Sequence, residues 1–399
     1  MPDMLAAVGV AGDRRRDSYT LRSVAGKTQE ALYSDIDLEL SWSEQQLPQI
    51  ERTKHVHALH PYLGKYVPQL VETFLRRYFK PGDIIYDPFV GSGTTLVEAN
   101  VFGASSVGCD ISAFNCLLSR VKTTTYSLAS LELALKVALE EARQEGQADT
   151  AACSAWLNEW YSPRALGELL AYRDAIETLA DPAWDVARVV LSRSARSARL
   201  TTHFDLDFPR RPATEAYHCH KHKRTCRPVD EAAKFLRRYT LDTIKRLRAF
   251  ATVQTNAAVD VFHADSRFID LPSKVTGVIT SPPYPGLIDY HEQHRYAYEL
   301  LGLTDRRVEE LGAAKKGKAR GAIQEYVDGM VAVLANAREQ LHGNGPVVIV
   351  VNDSKNLYPE ILCRAGLRLE ERLTRHVNRR TGRRAGEFYE DVLICAADG

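Results

Sequence analysis

Short apolar runs alternate with stretches of helical periodicity along most of the 399-residue chain. Strand-like runs lie at residues 84–87, 106–109, 259–262, 275–279 and 346–351, and residues 372–378 and 390–396 predict a closing antiparallel pair. Helical periodicity covers residues 43–80, with Leu70, Phe74 and Tyr78 on one face, and then residues 128–144, 162–179, 183–200, 230–252 and 321–342. This alternation predicts an α/β protein with a mostly parallel sheet.

The order of these elements divides the chain into three parts. Residues 1–38 show little periodicity and predict a mobile or loosely docked amino-terminal arm. Residues 39–120 and 251–399 hold the predicted strands, so they are expected to form one sheet domain. Residues 121–250 are mainly helical and predict a large insertion between the second and third strands of the sheet.

A glycine-containing segment joins the first predicted strand to the helix that follows it. Gly91 and Gly93 let the backbone approach a ligand closely, and the helix presents free N–H groups and a positive dipole end. The next apolar run ends at Asp110, 17 residues after Gly93, close to the spacing at which a second strand delivers an acid to a ribose diol. Leu96 stands where a dinucleotide site would have its third glycine, so a nicotinamide or flavin dinucleotide is less favoured.

A double proline follows the strand at residues 275–279. Because Pro282 and Pro283 lack backbone donors and fix two φ angles, the chain must turn sharply at the carboxyl end of this strand. Open α/β sheets bind their ligands at that end. The stiff turn is expected to hold the Ser281 hydroxyl, the Pro282 carbonyl and the Tyr284 ring together, and two acceptors beside an aromatic face suit a planar exocyclic amine.

These segments together resemble the S-adenosylmethionine-dependent DNA amino-methyltransferases of the Ser-Pro-Pro-Tyr type. The resemblance covers residues 55–120 and 258–299, and it implies a doubly wound, mostly parallel Rossmann-like methyltransferase sheet with an antiparallel last strand. It implies S-adenosylmethionine as the cofactor and assigns the cofactor site to His60, Pro61, Lys65, Asp87, Pro88, Phe89, Gly91, Gly93, Thr94, Asp110 and Asp265. It assigns catalysis to Ser281, Pro282, Pro283 and Tyr284, with Pro283 stiffening the turn.

The resemblance implies transfer of a methyl group to an exocyclic amine of double-stranded DNA. A serine at the first position of the turn favours the N4 of cytosine, with the N6 of adenine as the alternative, and the target base must be flipped out of the duplex. An RNA-modifying enzyme or a non-catalytic DNA-binding relative is a second alternative. A cognate restriction endonuclease acting on the same site is a partner that the resemblance allows.

Charge is strongly segregated along the chain. Residues 188–248 carry sixteen Lys or Arg against six Asp or Glu, a net charge of +10, whereas the whole chain has a net charge of +1. Such segregation is typical of a polyanion-binding face on an otherwise acidic body. The residues predicted to contact DNA are Arg193, Arg196, Arg199, Lys221, Lys223 and Arg224. The alternative for these cations is an ordinary solvated helix face.

The same segment contains a group of histidines and cysteines that includes Cys219, His222 and Cys226. Its spacing matches no standard zinc finger and lysines flank it, so the sequence favours a basic DNA-facing loop, with a structural metal site as the alternative, and no metal ligand is assigned. The seven cysteines are scattered, with no C-x-x-C pair and no secretion signal, which is typical of reduced thiols in a cytoplasmic protein. No run approaches the roughly 18 apolar residues of a membrane helix.

Overall fold

The computed structural model describes residues 39–203, 205–206, 209–314, 317, 319–377 and 388–398. The amino-terminal arm expected at residues 1–38 lies outside the described residues.

A seven-stranded sheet forms the centre of the molecule. Its strands are β1 (Ile84–Asp87), β2 (Ser105–Asp110), β5 (Val259–His263), β6 (Gly277–Thr280), β7 (Val347–Val351), β8 (Leu367–His376) and β9 (Tyr389–Ala397). Their spatial order is β5-β2-β1-β6-β7-β9-β8. The first five pair in parallel, and β9 runs antiparallel to both of its neighbours. The predicted fold class, a doubly wound sheet with an antiparallel last strand, is confirmed.

Within the described residues, the helices lie before and between these strands. They are α1 (Gln49–Arg52), α2 (Pro68–Tyr78), α3 (Thr94–Phe102), α4 (Ala113–Thr123), α5 (Leu128–Glu145), α6 (Ala155–Trp160), α7 (Pro163–Ile176), α8 (Ala183–Ala198), α9 (Ala233–Ala251), α10 (Tyr290–Gln293), α11 (Arg295–Leu301), α12 (Arg320–Glu339) and α13 (Tyr358–Ala365), with a 3-10 turn at His55–Ala58. None of the helices in the described part of the chain is both long and apolar enough to cross a membrane.

Alternate residues of the central strands face opposite sides of the sheet. In β7, Val347, Ile349 and Val351 pack into the cluster that includes α12 and α13. Val348 and Val350 pack on the other side, into the cluster that includes α2. All five residues are buried, as expected for an inner strand with both faces covered.

The insertion packs against the sheet domain through a continuous apolar cluster. Helices α5, α7, α8 and α9 share this cluster with Phe114 of α4 and Tyr296 of α11. Their position in the chain, between β2 and β5, agrees with the prediction from the sequence. The insertion also contains a small antiparallel hairpin, β3 (Tyr217–Cys219) and β4 (Arg224–Cys226), which the helical periodicity did not predict.

The structure corrects the expectation of one helical stretch over residues 43–80. Only α1, the 3-10 turn and α2 are helical there. Prolines at 48, 61 and 68 explain the breaks, because a proline removes a backbone donor and disfavours helix in the residue before it. Leu70 and Phe74 are nevertheless fully buried on one face of α2, as predicted.

Candidate active site and basic surface

The loops after β1, β2 and β6 meet at one edge of the sheet, because these strands are neighbours and run in parallel. They line one shared cleft. Nine residues predicted from the sequence line this cleft: Lys65, Pro88, Phe89, Gly91, Thr94, Asp110, Asp265, Ser281 and Pro283. The other six predicted cofactor and catalytic residues, His60, Pro61, Asp87, Gly93, Pro282 and Tyr284, lie behind or beside it.

Asp87 holds the loop in place from behind the cleft. Its carboxylate accepts hydrogen bonds from the Thr95 and Thr280 hydroxyls, each at 2.6 Å, and from the Phe89 backbone N–H at 3.1 Å. These contacts connect the end of β1 to α3 and to the end of β6. Burial raises the pKa of Asp87 to about 6, although the hydrogen bonds oppose that shift. Asp87 therefore shapes the cleft without lining it.

The two glycines of the loop have different roles. Gly91 has φ of +47° and lines the cleft, where a Cβ would lie 3.1 Å from the Tyr62 hydroxyl. Gly93 has φ of +75°, and a Cβ there would meet the Ser119 side chain of α4 at 2.9 Å. The sequence placed Gly93 against the cofactor. In the structure, its missing side chain makes room for α4.

Asp110 lies at the carboxyl end of β2 and lines the cleft. It accepts hydrogen bonds from the backbone N–H groups of Gly91 and Ser112, at 2.9 and 2.8 Å, and from the Asn115 side chain at 3.1 Å. Burial raises the pKa of Asp110, against these hydrogen bonds. The carboxylate thus joins the glycine loop to the start of α4.

Asp265 follows β5 and lines the same cleft. Both of its oxygens accept from the Arg267 side chain, with the shortest contact at 2.5 Å. Burial favours the neutral carboxyl, but the hydrogen bonds from Arg267 outweigh it and hold the pKa of Asp265 below its ordinary value. Asp265 is therefore an ionised acceptor in the lining of the cleft.

The segment before α2 contributes Lys65 and Tyr62. Lys65 lines the cleft and donates to the His57 carbonyl oxygen at 2.5 Å, and burial lowers its pKa to about 8. His60 is fully buried, with its ring nitrogens 2.8 Å from the Pro61 carbonyl oxygen and 3.2 Å from the Ser192 hydroxyl. His60 connects this segment to the insertion and is not part of the cleft.

The Ser-Pro-Pro-Tyr turn separates two clefts. Ser281 and Pro283 line the cleft described above. Tyr284 lines a second cleft together with Phe388, Asn352, Asp353 and Lys355. The Tyr284 hydroxyl donates to Glu390 at 3.0 Å, and the Pro283 carbonyl accepts from the Tyr326 hydroxyl at 3.0 Å. The turn is thereby fixed on both sides.

Sequence reasoning missed a histidine in the first cleft. His291 is fully buried and its Nδ1 lies 2.7 Å from the Glu310 carboxylate, while its Nε2 has no partner among the described residues. Both residues line the cleft. Glu310 also accepts from the Tyr290 backbone N–H at 2.8 Å. His291 and Glu310 belong to no sequence pattern, so only their spatial proximity identifies them.

Two arginines predicted to contact DNA are buried, which contradicts that prediction. The Arg193 guanidinium contacts Asp242 at 2.5 Å and Thr243 at 2.8 Å, and it lies over the Tyr239 ring. Arg199 donates to the Leu206 carbonyl oxygen at 3.0 Å and lies over the Tyr296 ring. Each side chain is about 5% exposed, so phosphates cannot reach it. Arg193 connects α8 to α9 within the insertion, and Arg199 also contacts α11 of the sheet domain.

Other cations of the same segment do reach the surface. Lys221, Lys223 and Arg224 are exposed on the β3–β4 hairpin, and none of them forms an ion pair within the described part of the chain. Arg196, the remaining predicted contact, is half-buried. Further exposed cations of this segment are Arg210, Arg211, Arg227, Arg237, Arg238 and Lys245. The positive charge of the insertion is thus mostly at the surface.

Comparison with known proteins identifies the family. A family model for N6 and N4 methyltransferases, described as a DNA methylase, matches residues 14–120. The type II methyltransferase M.MjaII of Methanocaldococcus jannaschii is 36% identical to this chain, over 92% of this chain and 84% of that relative. The chain belongs to the DNA amino-methyltransferase family. The type II methyltransferase M.MvaI of Kocuria varians is 38% identical over 82 residues, which are 20% of this chain and 18% of that relative.

Solved structures add little to this assignment. TrmN from Thermus thermophilus aligns with 84% of this chain and 50% of its own, at 14% identity and a TM-score of 0.33. The strand order itself establishes the fold of this DNA amino-methyltransferase. S-adenosylmethionine is the methyl donor of the family, and the chemistry of the first cleft fits it, since the glycine loop and the carboxylates of Asp110 and Asp265 line the same cleft.

Proposed function

We propose that this methyltransferase acts on the exocyclic N4 of cytosine in duplex DNA, which it reaches by base flipping. The observation that supports the proposal is the Ser-Pro-Pro-Tyr turn lying between two clefts, with Ser281 on one side and Tyr284 on the other. One cleft has the residues to hold the cofactor. The other has an aromatic ring beside polar groups, as a flipped base requires.

In this proposal the residues of the turn activate the amine. An aromatic amine is a poor nucleophile because its lone pair is delocalised into the ring. The Ser281 hydroxyl and the Pro282 carbonyl accept the two amino hydrogens, which draws the nitrogen toward tetrahedral geometry and localises its lone pair. S-adenosylmethionine supplies a methyl group on a positively charged sulfur. The turn aligns the nitrogen for direct attack, so positioning contributes most of the rate acceleration.

The second cleft would hold the base itself. Tyr284 is fixed by its hydrogen bond to Glu390, and Phe388 lies 6.3 Å from it between ring centroids. A ring held in this way can stack on a base without losing further rotamer freedom. Asn352 and Asp353 follow β7 and offer polar groups to the base edge.

The exposed cations of the insertion are proposed to bind the DNA backbone. Phosphate contacts release counterions, so replacing Lys221, Lys223 and Arg224 by alanine should weaken DNA binding and flatten its salt dependence by about 0.9 log–log units per lost contact. Replacing Arg76, Arg364 and Arg368, exposed cations outside the segment, is the matched control. An unchanged slope in the first variant would return these cations to the solvated-face interpretation.

Mass spectrometry of nucleosides tests the target base. The purified protein is incubated with methyl-labelled S-adenosylmethionine and either genomic DNA or total RNA in parallel reactions, and the digested nucleosides of each are measured. Labelled N4-methylcytosine is expected. Labelled N6-methyladenine alone would overturn the cytosine proposal and assign the alternative base, and label in RNA but not in DNA would overturn the choice of nucleic acid.

A pair of serine variants tests the role of the turn. Ser281→Ala should lower kcat by roughly ten- to a thousand-fold with little change in cofactor or DNA affinity, because its contact strengthens as the nitrogen rehybridises. Ser273→Ala, an exposed serine before β6, is the matched control and should leave kcat unchanged. A kcat unchanged by Ser281→Ala would remove this hydroxyl from the chemistry.

A further inference from the structure

Four potential metal ligands converge at the hairpin of the insertion. His203, Cys219, His222 and Cys226 each place one ligand atom within 4.8 Å of all the others. Cys219 ends β3 and Cys226 ends β4, while His203 comes from the loop after α8. The group therefore joins two stretches of chain. The nearest ligands of the two stretches, His203 and Cys219, are 16 residues apart in sequence.

The hairpin turn produces this convergence. Lys223 donates its backbone N–H to the Cys219 carbonyl oxygen at 2.7 Å and has φ of +52°, which closes the turn tightly. The closed turn brings His222 back over the strands. Its Nδ1 then lies 3.7 Å from the Cys219 sulfur and 3.5 Å from the Cys226 sulfur.

These separations match a tetrahedral zinc site. Zinc bound to sulfur at about 2.3 Å and to nitrogen at about 2.0–2.1 Å, with tetrahedral angles, separates the two ligand atoms by about 3.6 Å. The three measured sulfur–nitrogen distances, including 3.6 Å from Cys219 to His203, lie within 0.1 Å of that value.

We propose that His203, Cys219, His222 and Cys226 bind one structural Zn²⁺. Thiol–imidazole hydrogen bonds alone explain the arrangement poorly, because the single lone pair of His222 Nδ1 faces both sulfurs. The Tyr217 hydroxyl lies 2.8 Å from Nδ1 of His203 and gives up that contact to the metal. It keeps the hydrogen bond that it accepts from the His203 backbone N–H at 3.1 Å.

The flanking cations do not oppose such a site. Two thiolates neutralise the charge of one Zn²⁺, and the side chains of Lys221, Lys223 and Arg224 are exposed to solvent, which screens them. A second histidine group, His57 with Glu98, differs in this respect. There Lys54 contacts the same carboxylate at 2.9 Å, so a cation already occupies the position a metal would need.

A metal would also stabilise the hairpin, which has little apolar packing of its own. A two-stranded hairpin is at best marginally stable by itself. Cys219 and Cys226 are 3% and 8% exposed, yet neither belongs to any apolar cluster found among the described residues. The zinc would fix the hairpin that presents Lys221, Lys223 and Arg224, although the site itself stands independently of the proposed function.

Metal content and cobalt substitution test the proposal on the full-length protein. Wild type is expected to retain about one zinc per chain after dialysis, by mass spectrometry of the metal, and cobalt-loaded protein should show the visible absorption of a tetrahedral thiolate site. Cys219→Ser and His222→Asn should lower the zinc content at least tenfold. The matched controls are Cys363→Ser and His220→Asn, both exposed and outside the group.

Thiol labelling provides a test that needs no variant. Zinc should protect Cys219 and Cys226 of the wild type from an alkylating reagent, and a chelator should remove the protection, while Cys363 reacts in both states. Zinc-free wild type, zinc retained in both variants, or a Cys219–Cys226 disulfide found by peptide mapping would each overturn the proposal. Calorimetry of S-adenosylmethionine binding to the zinc-free protein separates this outcome from a failure of the methyltransferase assignment, because the cofactor cleft contains none of the four ligands.

Discussion

Replacing Asp110 by asparagine should weaken S-adenosylmethionine binding without abolishing it. Three donors already contact this carboxylate: the backbone N–H groups of Gly91 and Ser112, and the Asn115 amide. A carboxylate offers about four acceptor positions. One position therefore remains, so Asp110 can accept a hydrogen bond from one ribose hydroxyl.

The magnitude follows from that single position. A hydrogen bond to a charged acceptor contributes about 1.5–3 kcal/mol. At about 1.4 kcal/mol per tenfold change in Kd, the expected loss of affinity is roughly ten- to a hundredfold. Asparagine also turns an N–H₂ group toward a backbone N–H of the loop, and this repulsion adds to the loss.

Cofactor analogues separate the ribose contact from the loop effect. Isothermal titration calorimetry measures the binding of S-adenosylmethionine and of its 2′-deoxy and 3′-deoxy forms to wild type and to Asp110→Asn. The analogue that lacks the contacted hydroxyl should lose much less affinity on mutation than the parent cofactor. Asp328→Asn, an exposed aspartate paired with Arg364, is the control and should bind all three ligands like wild type.

Equal losses of affinity for all three ligands would contradict a contact between Asp110 and the ribose. Asp110 would then act only by holding Gly91 and α4 in place, with no contact to the ribose. Full affinity in a folded Asp110→Asn protein would remove this residue from the cofactor site altogether.

The remaining predictions concern buried groups. Gly93→Val should lower the free energy of unfolding by about 2–4 kcal/mol in urea titrations, because a branched side chain at positive φ would also meet Ser119; stability equal to wild type would contradict this. Arg193→Ala should lower the free energy of unfolding by about 2–3 kcal/mol, less than the loss of most buried ion pairs, because Asp242 keeps its contact with Arg246 at 2.8 Å. The salt dependence of DNA binding should stay unchanged. A flatter salt dependence would show that Arg193 contacts a phosphate. Burial lowers the pKa of His294 to about 3 in the folded state, whereas its pKa in the unfolded state is near 6.5. Between these two pH values the unfolded state binds a proton at His294 and the folded state does not. Acidification from pH 7 to pH 5 should therefore destabilise wild type by about 2 kcal/mol more than it destabilises His294→Gln. Equal losses of stability in the two proteins would show that protonation of His294 does not cause the acid destabilisation.

The parts of the fold that the sequence predicted are those with local signals. The apolar, β-branched run at residues 347–351 predicts an inner strand, and the glycine loop and the double proline mark the carboxyl ends of β1 and β6. Local signals also located the insertion, because helical periodicity replaces strand periodicity after residue 121.

The contacts of individual side chains were beyond such signals. Arg193 and Arg199 occur in a basic stretch typical of phosphate binding, but their partners Asp242 and Tyr296 lie about 50 and 100 residues further on. Pairing over such distances depends on how α8 packs against α9 and α11, and no local pattern records it. The same limit explains why the sequence did not predict the four potential metal ligands of the hairpin, since His203 shares no spacing pattern with Cys219.

In the glycine loop after β1, the sequence located the motif but could not show which of its residues face the ligand. Asp87 and Gly93 are as characteristic of the motif as Gly91, yet both act on the protein side, one through Thr95 and Thr280 and the other by admitting α4. A motif constrains a whole loop, and the loop needs residues on its inner side as much as on its ligand side.

The position of β6 in the sheet gives the two clefts their relation to each other. β6 pairs with β1 on one side and with β7 on the other, so the turn that follows it must lie between the loops of those two strands. The loop after β1 lines the first cleft, and residues after β7 line the second cleft together with Tyr284. A methyl donor in the first and an amine reaching the turn from the second would meet at Ser281 from opposite sides. Direct in-line transfer needs this approach, because the attacking nitrogen and the departing sulfur must lie on opposite sides of the methyl carbon.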